Sequence, residues 1–396
     1  MKISVLSYFP FPDGLAATTR IRAYLKGLKE LGVDSEAIVY NPTSKYTPNK
    51  DIPSIGYSEE GIKYCYPNGR YFSKHKIYRL ISIYINSWVK TTYYIYRSNK
   101  KKKIDFLFIA NDKLPILFYY IMICKILKIN SIFITDEYPG AIRSKLKKNI
   151  SKIQKWAYNF ILKYTKGEIF MTEALCKYYN PQNKIPNHIL PTITDFSRFD
   201  VKNNMDTNND NYICYLGNME LSKDNVDNII VAFSKIAERF PNINFYLYGA
   251  PSERDKNKLS SLIRSLKLEK RVFLKGKVDF NKVPEILSNA KILVSSQPNT
   301  KRAEGGFPTK LGEYLATGKP VLLTDVGEIS QCVIKNKHLY IVPPENPELY
   351  AEKLAYILEN YEEAIKVGQA GKEYVKANYG YQKISQNLLF FLNGIK

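Results

Sequence analysis

The sequence predicts an α/β protein of two domains, each built on a parallel sheet covered by helices. Three observations support this fold class. Short apolar strands alternate with amphipathic helical stretches in both halves of the chain. At 396 residues the chain is long enough for two hydrophobic cores. Residues 200–211, DVKNNMDTNNDN, are polar and rich in Asn and Asp, as linkers are. We therefore expect domains at 1–200 and 212–378, with a C-terminal helix at 379–396 that returns to the first domain.

The first domain opens with a strand at Ile3–Ser7, a turn, and a helix at Thr19–Leu31. Further strands are predicted at Ser35–Tyr40, Asp105–Ile109, Ser131–Thr135 and Glu168–Thr172. Ligands of such folds bind at the carboxyl ends of the strands. Gly14, in the first turn, is therefore a candidate contact, although an ordinary turn explains it equally well. Asp136 and Glu137 end a later strand and are candidates for contact with an acceptor, with Glu137 as the candidate catalytic residue. Arg20 and Arg22 on the first helix are weaker candidates for the same role.

Six strands are predicted in the second domain, and a helical period covers residues 346–378. These strands are Tyr212–Gly217, Asn244–Tyr248, Arg271–Lys275, Lys291–Ser295, Val321–Thr324 and Tyr340–Val342.

Residues 304–326 combine a glycine-rich turn, a short helix and a buried strand. Gly305 and Gly306 let the backbone approach a ligand closely, and the amides that begin the helix attract an anion such as a phosphate. Glu313 follows further along the helix, where its carboxylate can accept hydrogen bonds from sugar hydroxyls. The alternative is an ordinary helix–strand unit in which Gly318 ends the helix.

This stretch resembles the donor-nucleotide motif of family 4 glycosyltransferases, which are retaining enzymes of the GT-B fold with two facing Rossmann-like domains and a cleft between them. The matching residues are Gly306, Phe307, Glu313, Ala316, Gly318, Pro320 and Val321. The first Glu of the motif is missing, because Gly305 lies eight residues before Glu313 and Glu304 lies nine before it. The resemblance implies a donor site formed by Gly14, Gly217, Asn218, Glu304, Gly305, Gly306, Phe307, Pro308, Thr309 and Glu313.

The same resemblance continues over about 170 residues, through Tyr215-Leu216-Gly217, Lys223, Asp227 and Tyr248-Gly249. In the first domain it is looser and rests on Asp13-Gly14 and on Leu190-Pro191 with Asp195, Arg198 and Phe199.

Family members without a metal use an Arg–Lys pair to stabilise the departing diphosphate. Lys223 occupies the position of the Lys, whereas Asn218 replaces the Arg. A cation elsewhere is therefore expected to compensate, and Lys310 is the first choice, ahead of Lys301 and Arg302. The alternative for each is a solvated surface lysine or arginine. The resemblance thus implies a metal-independent reaction without a cofactor, and the absence of any Asp-x-Asp sequence agrees with it.

The net charge of the chain is +22, and it is unevenly distributed. Residues 1–200 hold 32 Lys and Arg against 15 Asp and Glu, which predicts an anionic partner for the first domain. Nucleic acid is disfavoured because no binding module for it accompanies the charge. Tyr71–Lys103, with many aromatics and a four-lysine run, suits contact with an anionic membrane. The alternative is a helix packed on the sheet with a solvated basic end.

The remaining features limit the chemistry and the location. Five scattered cysteines predict reduced core residues rather than disulfides or a metal cluster, and three histidines form no recognisable catalytic arrangement. No signal peptide opens the chain and no apolar run is long enough to span a bilayer. The expected location is the cytoplasm, at the inner face of the membrane.

The resemblance and the charge together predict a retaining glycosyltransferase. It would move a sugar from a nucleotide-diphosphate sugar to a glycan acceptor, favoured to be lipid-linked, in cell-envelope polysaccharide synthesis. Two alternatives stay open: a sugar-nucleotide epimerase of the same fold, and a non-catalytic, membrane-associated protein that binds sugar nucleotides.

Overall fold

A computed structural model describes residues 1–14, 16–44, 52–72, 74–140, 148–199, 211–306 and 309–396. The chain forms two compact units, one of Met1–Ile193 with Tyr381–Lys396, the other of Thr194–Gly380. Each unit has a mainly parallel sheet with helices between its strands, which confirms the predicted α/β class. The predicted linker lies outside the described residues, except for Asn211.

An eight-stranded sheet forms the first unit, in the order β3-β4-β2-β1-β5-β6-β7-β8. All neighbouring strands are parallel except β3 and β4. The strands are β1 (Lys2–Ser7), β2 (Asp34–Val39), β3 (Ile55–Tyr57), β4 (Lys63–Cys65), β5 (Phe106–Ala110), β6 (Asn130–Thr135), β7 (Gly167–Phe170) and β8 (Asn187–Ile189). The five predicted strands are confirmed to within two residues, whereas the short β3, β4 and β8 were not predicted.

The helices of the first unit cover both faces of its sheet. They are α1 (Ala16–Glu30), α2 (Lys76–Ile81), α3 (Ser87–Lys101), α4 (Leu114–Ile126), α5 (Lys148–Leu162) and α6 (Glu173–Tyr179), with a π-helical turn at Ser82–Asn86 between α2 and α3. The connection through α1 runs from β1 toward β2, while those through α3, α4 and α5 run the opposite way along the sheet. Because such crossovers are right-handed, α1 covers one face and α3, α4 and α5 cover the other.

The second unit is a six-stranded parallel sheet in the order β11-β10-β9-β12-β13-β14. Its strands are β9 (Tyr212–Leu216), β10 (Asn244–Tyr248), β11 (Val272–Gly276), β12 (Ile292–Val294), β13 (Val321–Thr324) and β14 (Tyr340–Val342), and all six were predicted to within one residue. Its helices are α7 (Leu221–Asp224), α8 (Val226–Ser234), α9 (Glu253–Ser265), α10 (Val283–Asn289), α11 (Lys301–Gly305), α12 (Thr309–Ala316), α13 (Ile329–Cys332), α14 (Pro347–Glu359) and α15 (Tyr361–Tyr379). The predicted helical stretch 346–378 is therefore two helices that part at Asn360.

Helix α16 (Tyr381–Gly394) packs against α1 in the first unit, although it follows the second unit in sequence. The two helices approach closely at Gly27, where an added Cβ would come within 2.2 Å of the Ser385 hydroxyl oxygen. The Tyr381 hydroxyl donates a hydrogen bond to Glu30 at 2.9 Å. A glycine on α1 thus allows α16 to cover this side of the first sheet.

Arg20 and Arg22 do not point into solvent as surface contacts for an acceptor would. Both side chains are buried. Arg20 donates hydrogen bonds to the carbonyls of Leu190 and Pro191 and lies 3.2 Å from Asp136, while Arg22 forms an ion pair with Glu60. Their charges are paired within the unit, which disfavours them as contacts for an acceptor.

One carboxyl group in the core of the first unit makes stability depend on pH. Burial of Glu168 raises its pKa to about 8, and the nearby Asn180 amide offsets the effect only in part. Folding therefore favours the protonated form, and the free energy of unfolding falls as the pH rises from the ordinary carboxyl range through about 8. We expect Glu168→Gln to stabilise the protein above pH 8 by about 2–4 kcal/mol and to change little near pH 4.

Thermal melts across this pH range measure the effect, with Glu173→Gln on the exposed start of α6 as the control. Equal pH slopes for wild type and Glu168→Gln would contradict the assignment.

Candidate functional site

The candidate site lies at the carboxyl end of β9, in the second unit. The order of the strands reverses beside β9, since the chain continues to β10 on one side and returns to β12 on the other. Such switch points are where α/β folds bind ligands. The backbone amide of Leu216 donates to the Tyr314 hydroxyl at 2.9 Å, which ties α12 to the end of this strand.

Four side chains form a cluster at this point. The Lys310 Nζ lies 2.8 Å from an Asp224 carboxylate oxygen and 2.7 Å from the Tyr215 hydroxyl oxygen. It also lies over the Tyr215 ring, 4.2 Å from its centre. Lys223 is near enough to act electrostatically on both Asp224 and Lys310. The two lysines predicted from sequence are therefore neighbours that share one carboxylate.

The charges in the cluster are mutually stabilised. Burial alone would raise the pKa of Asp224, but the charge and hydrogen bond of Lys310, the charge of Lys223 and the Tyr215 hydroxyl together outweigh it, and the pKa is lowered. Burial lowers the pKa of Lys310, and Asp224 opposes that change. The Asp224 side chain is 2% exposed, whereas that of Lys310 is 20% exposed. The buried Asp224 carboxylate thus holds Lys310 in place, while part of the lysine surface stays accessible to a ligand.

Glycines make room for this arrangement. An added Cβ at Gly217 would lie 2.3 Å from the Lys310 Nζ and 2.5 Å from the Tyr215 hydroxyl oxygen. At Gly249, where φ is +151°, it would lie 1.7 Å from the carbonyl oxygen of Gly217. The Gly217 amide also donates to the carbonyl of Tyr248 at 2.9 Å. Both positions require glycine, because the Lys310 side chain occupies the space of a Cβ at Gly217 and the Gly217 backbone occupies it at Gly249.

Glu313 lies on α12 and is already engaged by a cation. The Arg198 guanidinium contacts its carboxylate at 2.7 Å, donates to the carbonyl of Phe280 at 3.0 Å, and lies over the Phe280 ring at 3.7 Å. Arg198 belongs to the part of the sequence that resembles the interdomain motif. A sugar or ribose that binds Glu313 must therefore share this carboxylate with Arg198 or displace it.

The predicted glycine turn is partly helical, because α11 runs from Lys301 to Gly305 and Gly306 caps it. Glu304 lies on this helix beside Lys301, with its side chain 44% exposed. Arg302, an alternative cation, pairs with Glu220 at 3.1 Å. Phe307 and Pro308 lie outside the described residues, and of Thr309 only the backbone is described, as the start of α12.

The remaining candidates differ in their surroundings. Asn218 follows the end of β9 and is exposed. In the first unit, Gly14 faces Thr18, whose hydroxyl oxygen would lie 2.0 Å from an added Cβ. Glu137 is half-buried beside Asp136, whose carboxylate pairs with Arg20. The structure therefore brings Lys223, Lys310 and Gly217 together, while Gly14 and Glu137 belong to the other unit.

Sequence reasoning missed Asp224, and it named Tyr215 only as part of the resemblance and not as a partner of Lys310. The resemblance draws attention to Asp227, three residues after Asp224. The signal that was present is the charge pair Lys223-Asp224 directly after the glycine loop. The partner of Asp224 is 86 residues away in sequence, so only the fold reveals it.

Two further findings concern the described residues. None of their helices is long and apolar enough to cross a membrane. Within the same part of the chain, no three His, Cys, Asp or Glu side chains are grouped as a metal site requires. Four of the five cysteines are buried, Cys332 is half-buried, and all five are free thiols, as predicted.

Comparisons with known proteins include a match to the part of the chain that holds this site. Residues 197–374 match the family model described as glycosyl transferases group 1. The poly(ribitol-phosphate) alpha-N-acetylglucosaminyltransferase of Staphylococcus aureus is 25% identical over 170 residues, which are 42% of this chain and 32% of that protein. The chain aligns with a third or less of the length of the curated relatives that it matches.

Solved structures match over the whole chain. Sucrose-phosphate synthase from Thermosynechococcus elongatus has a TM-score of 0.75 at 16% identity, and the match covers 100% of this chain and 98% of that one. HepE of Anabaena, solved in complex with UDP and glucose, has a TM-score of 0.74 at 12% identity, with both chains fully covered. These structural similarities show the fold of the chain, and the family match concerns residues 197–374. Residues 197–374 thus belong to the group 1 glycosyl transferases, and the chain as a whole has the fold of these solved structures.

Proposed function

We propose that the protein is a retaining, family 4 hexosyltransferase that moves a sugar from a nucleotide-diphosphate sugar to a glycan acceptor. The observation that carries the proposal is the cluster at the end of β9, where Lys310 is held by Asp224 with Lys223 beside it. Two cations at the switch point of the sheet are suited to a diphosphate, and the family match supplies the reaction class.

In such a transfer the bond between the sugar carbon and the diphosphate oxygen breaks, and the acceptor oxygen forms a new bond to that carbon. The proton of the acceptor hydroxyl passes to the departing diphosphate. Negative charge accumulates on the departing diphosphate, and preorganised cations stabilise it most where the site is partly dry. Lys310 fits this role because Asp224 and Tyr215 hold it in place before the ligand arrives. We propose that Lys310 supplies the charge that Asn218 lacks, and that no metal or other cofactor is needed.

The remaining donor contacts follow from the same motif. We assign the backbone around Gly217, Gly305 and Gly306 to the phosphates and Glu313 to the hydroxyls of the nucleotide sugar. Gly14 is proposed as a further phosphate contact, and the acceptor is assigned to the first unit, with Glu137 as its proposed contact. UDP-sugars are the first donors to test, because HepE was solved with UDP.

The acceptor class is proposed from the relatives and the charge. The S. aureus relative is named for transfer to poly(ribitol-phosphate), an anionic polymer. Together with the basic first unit, this favours a lipid-linked glycan made in cell-envelope polysaccharide synthesis at the inner face of the membrane.

Lys223→Ala tests the proposal directly. We expect the variant to lose transfer by about 10²–10³-fold in kcat, because one of two cations near the leaving group is removed. Lys235→Ala is the matched control, since that lysine pairs with Glu348 on the surface of the same unit. Unchanged turnover of Lys223→Ala would remove Lys223 from the mechanism.

The donor and the reaction class are separated by two further measurements. Ranking nucleotides and nucleotide sugars by thermal shift identifies the donor, since a ligand that binds only the folded state raises its melting temperature. Nucleotide released in proportion to glycosylated acceptor would establish transfer. Conversion of the nucleotide sugar to its epimer without an acceptor would instead support the epimerase alternative, and binding without any turnover would support the non-catalytic one.

A further inference from the structure

Helices α2 and α3 carry a long apolar stripe that faces solvent. Nothing on α2 is buried, and α3 buries only Ser87, Thr91 and Ile95. The exposed members of the stripe recur at the three- and four-residue spacing of one helix face. They are Ile77, Tyr78, Ile81, Tyr84, Ile85, Val89, Tyr93 and Tyr96. Single exposed apolar residues are common on protein surfaces. A continuous patch of them is unusual and marks an interaction surface.

Helix α5 adds a second apolar stripe in the same helical layer. Trp156 is 67% exposed, and its ring stacks on that of Phe160 at 5.8 Å. Ile153 and Tyr164 continue the stripe along the same side of the helix and just beyond it. Between the two lies α4, which exposes Phe118 and Ile126 and contacts both neighbours, through the Trp88–Tyr119 ring pair and its packing on α5. We name this surface of α2 to α5 the basic aromatic face.

Charge on these helices has one sign. The segments 76–101, 114–126 and 148–162 contain ten Lys or Arg and no Asp or Glu. Further lysines flank them, at Lys74, Lys102, Lys103, Lys113, Lys128, Lys163 and Lys166. Acidic residues that normally balance a protein surface are thus missing from helices α2 to α5.

We propose that the basic aromatic face docks on the surface of a membrane that contains anionic lipids. Lysine and arginine side chains bind the headgroups, while Tyr, Trp and Ile side chains enter the boundary between headgroups and acyl chains. In the docked state, helices α2 to α5 of the first unit contact the bilayer. Helices α1 and α16 lie on the opposite face of the sheet and are directed away from the membrane. The proposal does not depend on the donor site and goes beyond the proposed reaction.

Other occupants fit the surface less well. A second copy of the chain would bring two positively charged faces together without compensating acids, which is repulsive. Nucleic acid would match the charge but not the aliphatic Ile77, Ile81, Ile85 and Ile153, because its backbone offers no apolar surface. A membrane satisfies the charge and the apolar stripe at once.

Vesicle binding tests the proposal, with the full-length protein and vesicles of phosphatidylcholine alone or mixed with phosphatidylglycerol. We expect binding to the mixed vesicles only, weakening as salt rises. Trp156 and Trp88 are the two tryptophans, so a blue shift of emission that disappears in Trp156→Phe would locate the contact. The double variants Trp156→Ser/Phe160→Ser and Lys100→Glu/Lys101→Glu should each lower the partition coefficient by about tenfold or more.

Matched controls lie on α16. Phe390→Ser removes an aromatic side chain that is 83% exposed, and Lys383→Glu reverses an exposed charge, and both should bind like wild type. Donor thermal shifts should be unchanged in every variant, which keeps this test separate from the proposed reaction. The proposal would be overturned if the α16 variants lost vesicle binding equally, or if the protein bound vesicles without anionic lipid. It would also be overturned if the variants of the basic aromatic face abolished dimerisation or nucleic-acid binding and left vesicle binding unchanged.

Discussion

Replacing Lys310 with methionine should lower transfer by about 10²–10³-fold, even when a second substitution at Asp224 restores the stability of the protein. Alone, Lys310→Met leaves the buried Asp224 carboxylate without its partner, and breaking a buried pair in this way costs about 3–5 kcal/mol of stability. In Lys310→Met/Asp224→Asn neither charge remains, so most of that stability should return. The cation that we assign to the diphosphate is still missing, so we expect transfer to stay about 10²–10³-fold below wild type.

Thermal unfolding and initial rates on the same preparations separate the two effects. Lys235→Met is the control, because Lys235 is 41% exposed and pairs with Glu348 on the surface of the same unit. Asp224→Asn alone, which keeps the cation but loses its anchor, should give an intermediate rate. If the double variant recovered both stability and rate, Lys310 would be a structural residue and the donor site would need another cation.

Gly249→Ala should be the most damaging small substitution in the second unit. Its methyl group would lie 1.7 Å from the Gly217 carbonyl oxygen, which is a backbone atom and not the end of a flexible side chain that could move. The residue also has a φ of +151°, which side chains rarely adopt. We expect a loss of at least about 3 kcal/mol of stability together with weaker donor binding, because Gly217 borders Lys310.

Gly276→Ala is a matched control in the neighbouring strand. Gly276 also has a positive φ, at +79°, but nothing lies within 4 Å of its added Cβ. Its substitution should cost only the conformational strain of about 1 kcal/mol and leave donor binding intact. Similar melting temperatures for the two variants would contradict the steric clash expected at Gly249.

The regular strands were predictable because their signal is local. β10, β13 and β14 were predicted with the observed bounds, since each is a buried apolar run between polar breaks. The three-residue β3, β4 and β8 were not, because so short a segment shows no period. The division of the C-terminal helical stretch at Asn360 was also missed, as the helical period continues across it.

The site was predictable where one residue type carries the chemistry by itself. Lys223, Lys310 and Gly217 were chosen from motif position, and the fold places them together. Partners were not predictable, because Asp224 meets Lys310 and Arg198 meets Glu313 across 86 and 115 residues of sequence. The same holds for Arg20, whose burial on the Leu190 carbonyl depends on a contact 170 residues distant.

The return of the last sixteen residues to the first unit gives the chain two crossings between its halves, after Ile193 and after Gly380. The first unit is therefore built from two separate segments of the chain. A protease that nicks one crossing leaves the other intact, so the halves stay covalently tethered. Expressing the amino-terminal half in isolation requires a fusion that joins Ile193 to Tyr381 through a short spacer, because simple truncation would strip α1 of the helix that shields it.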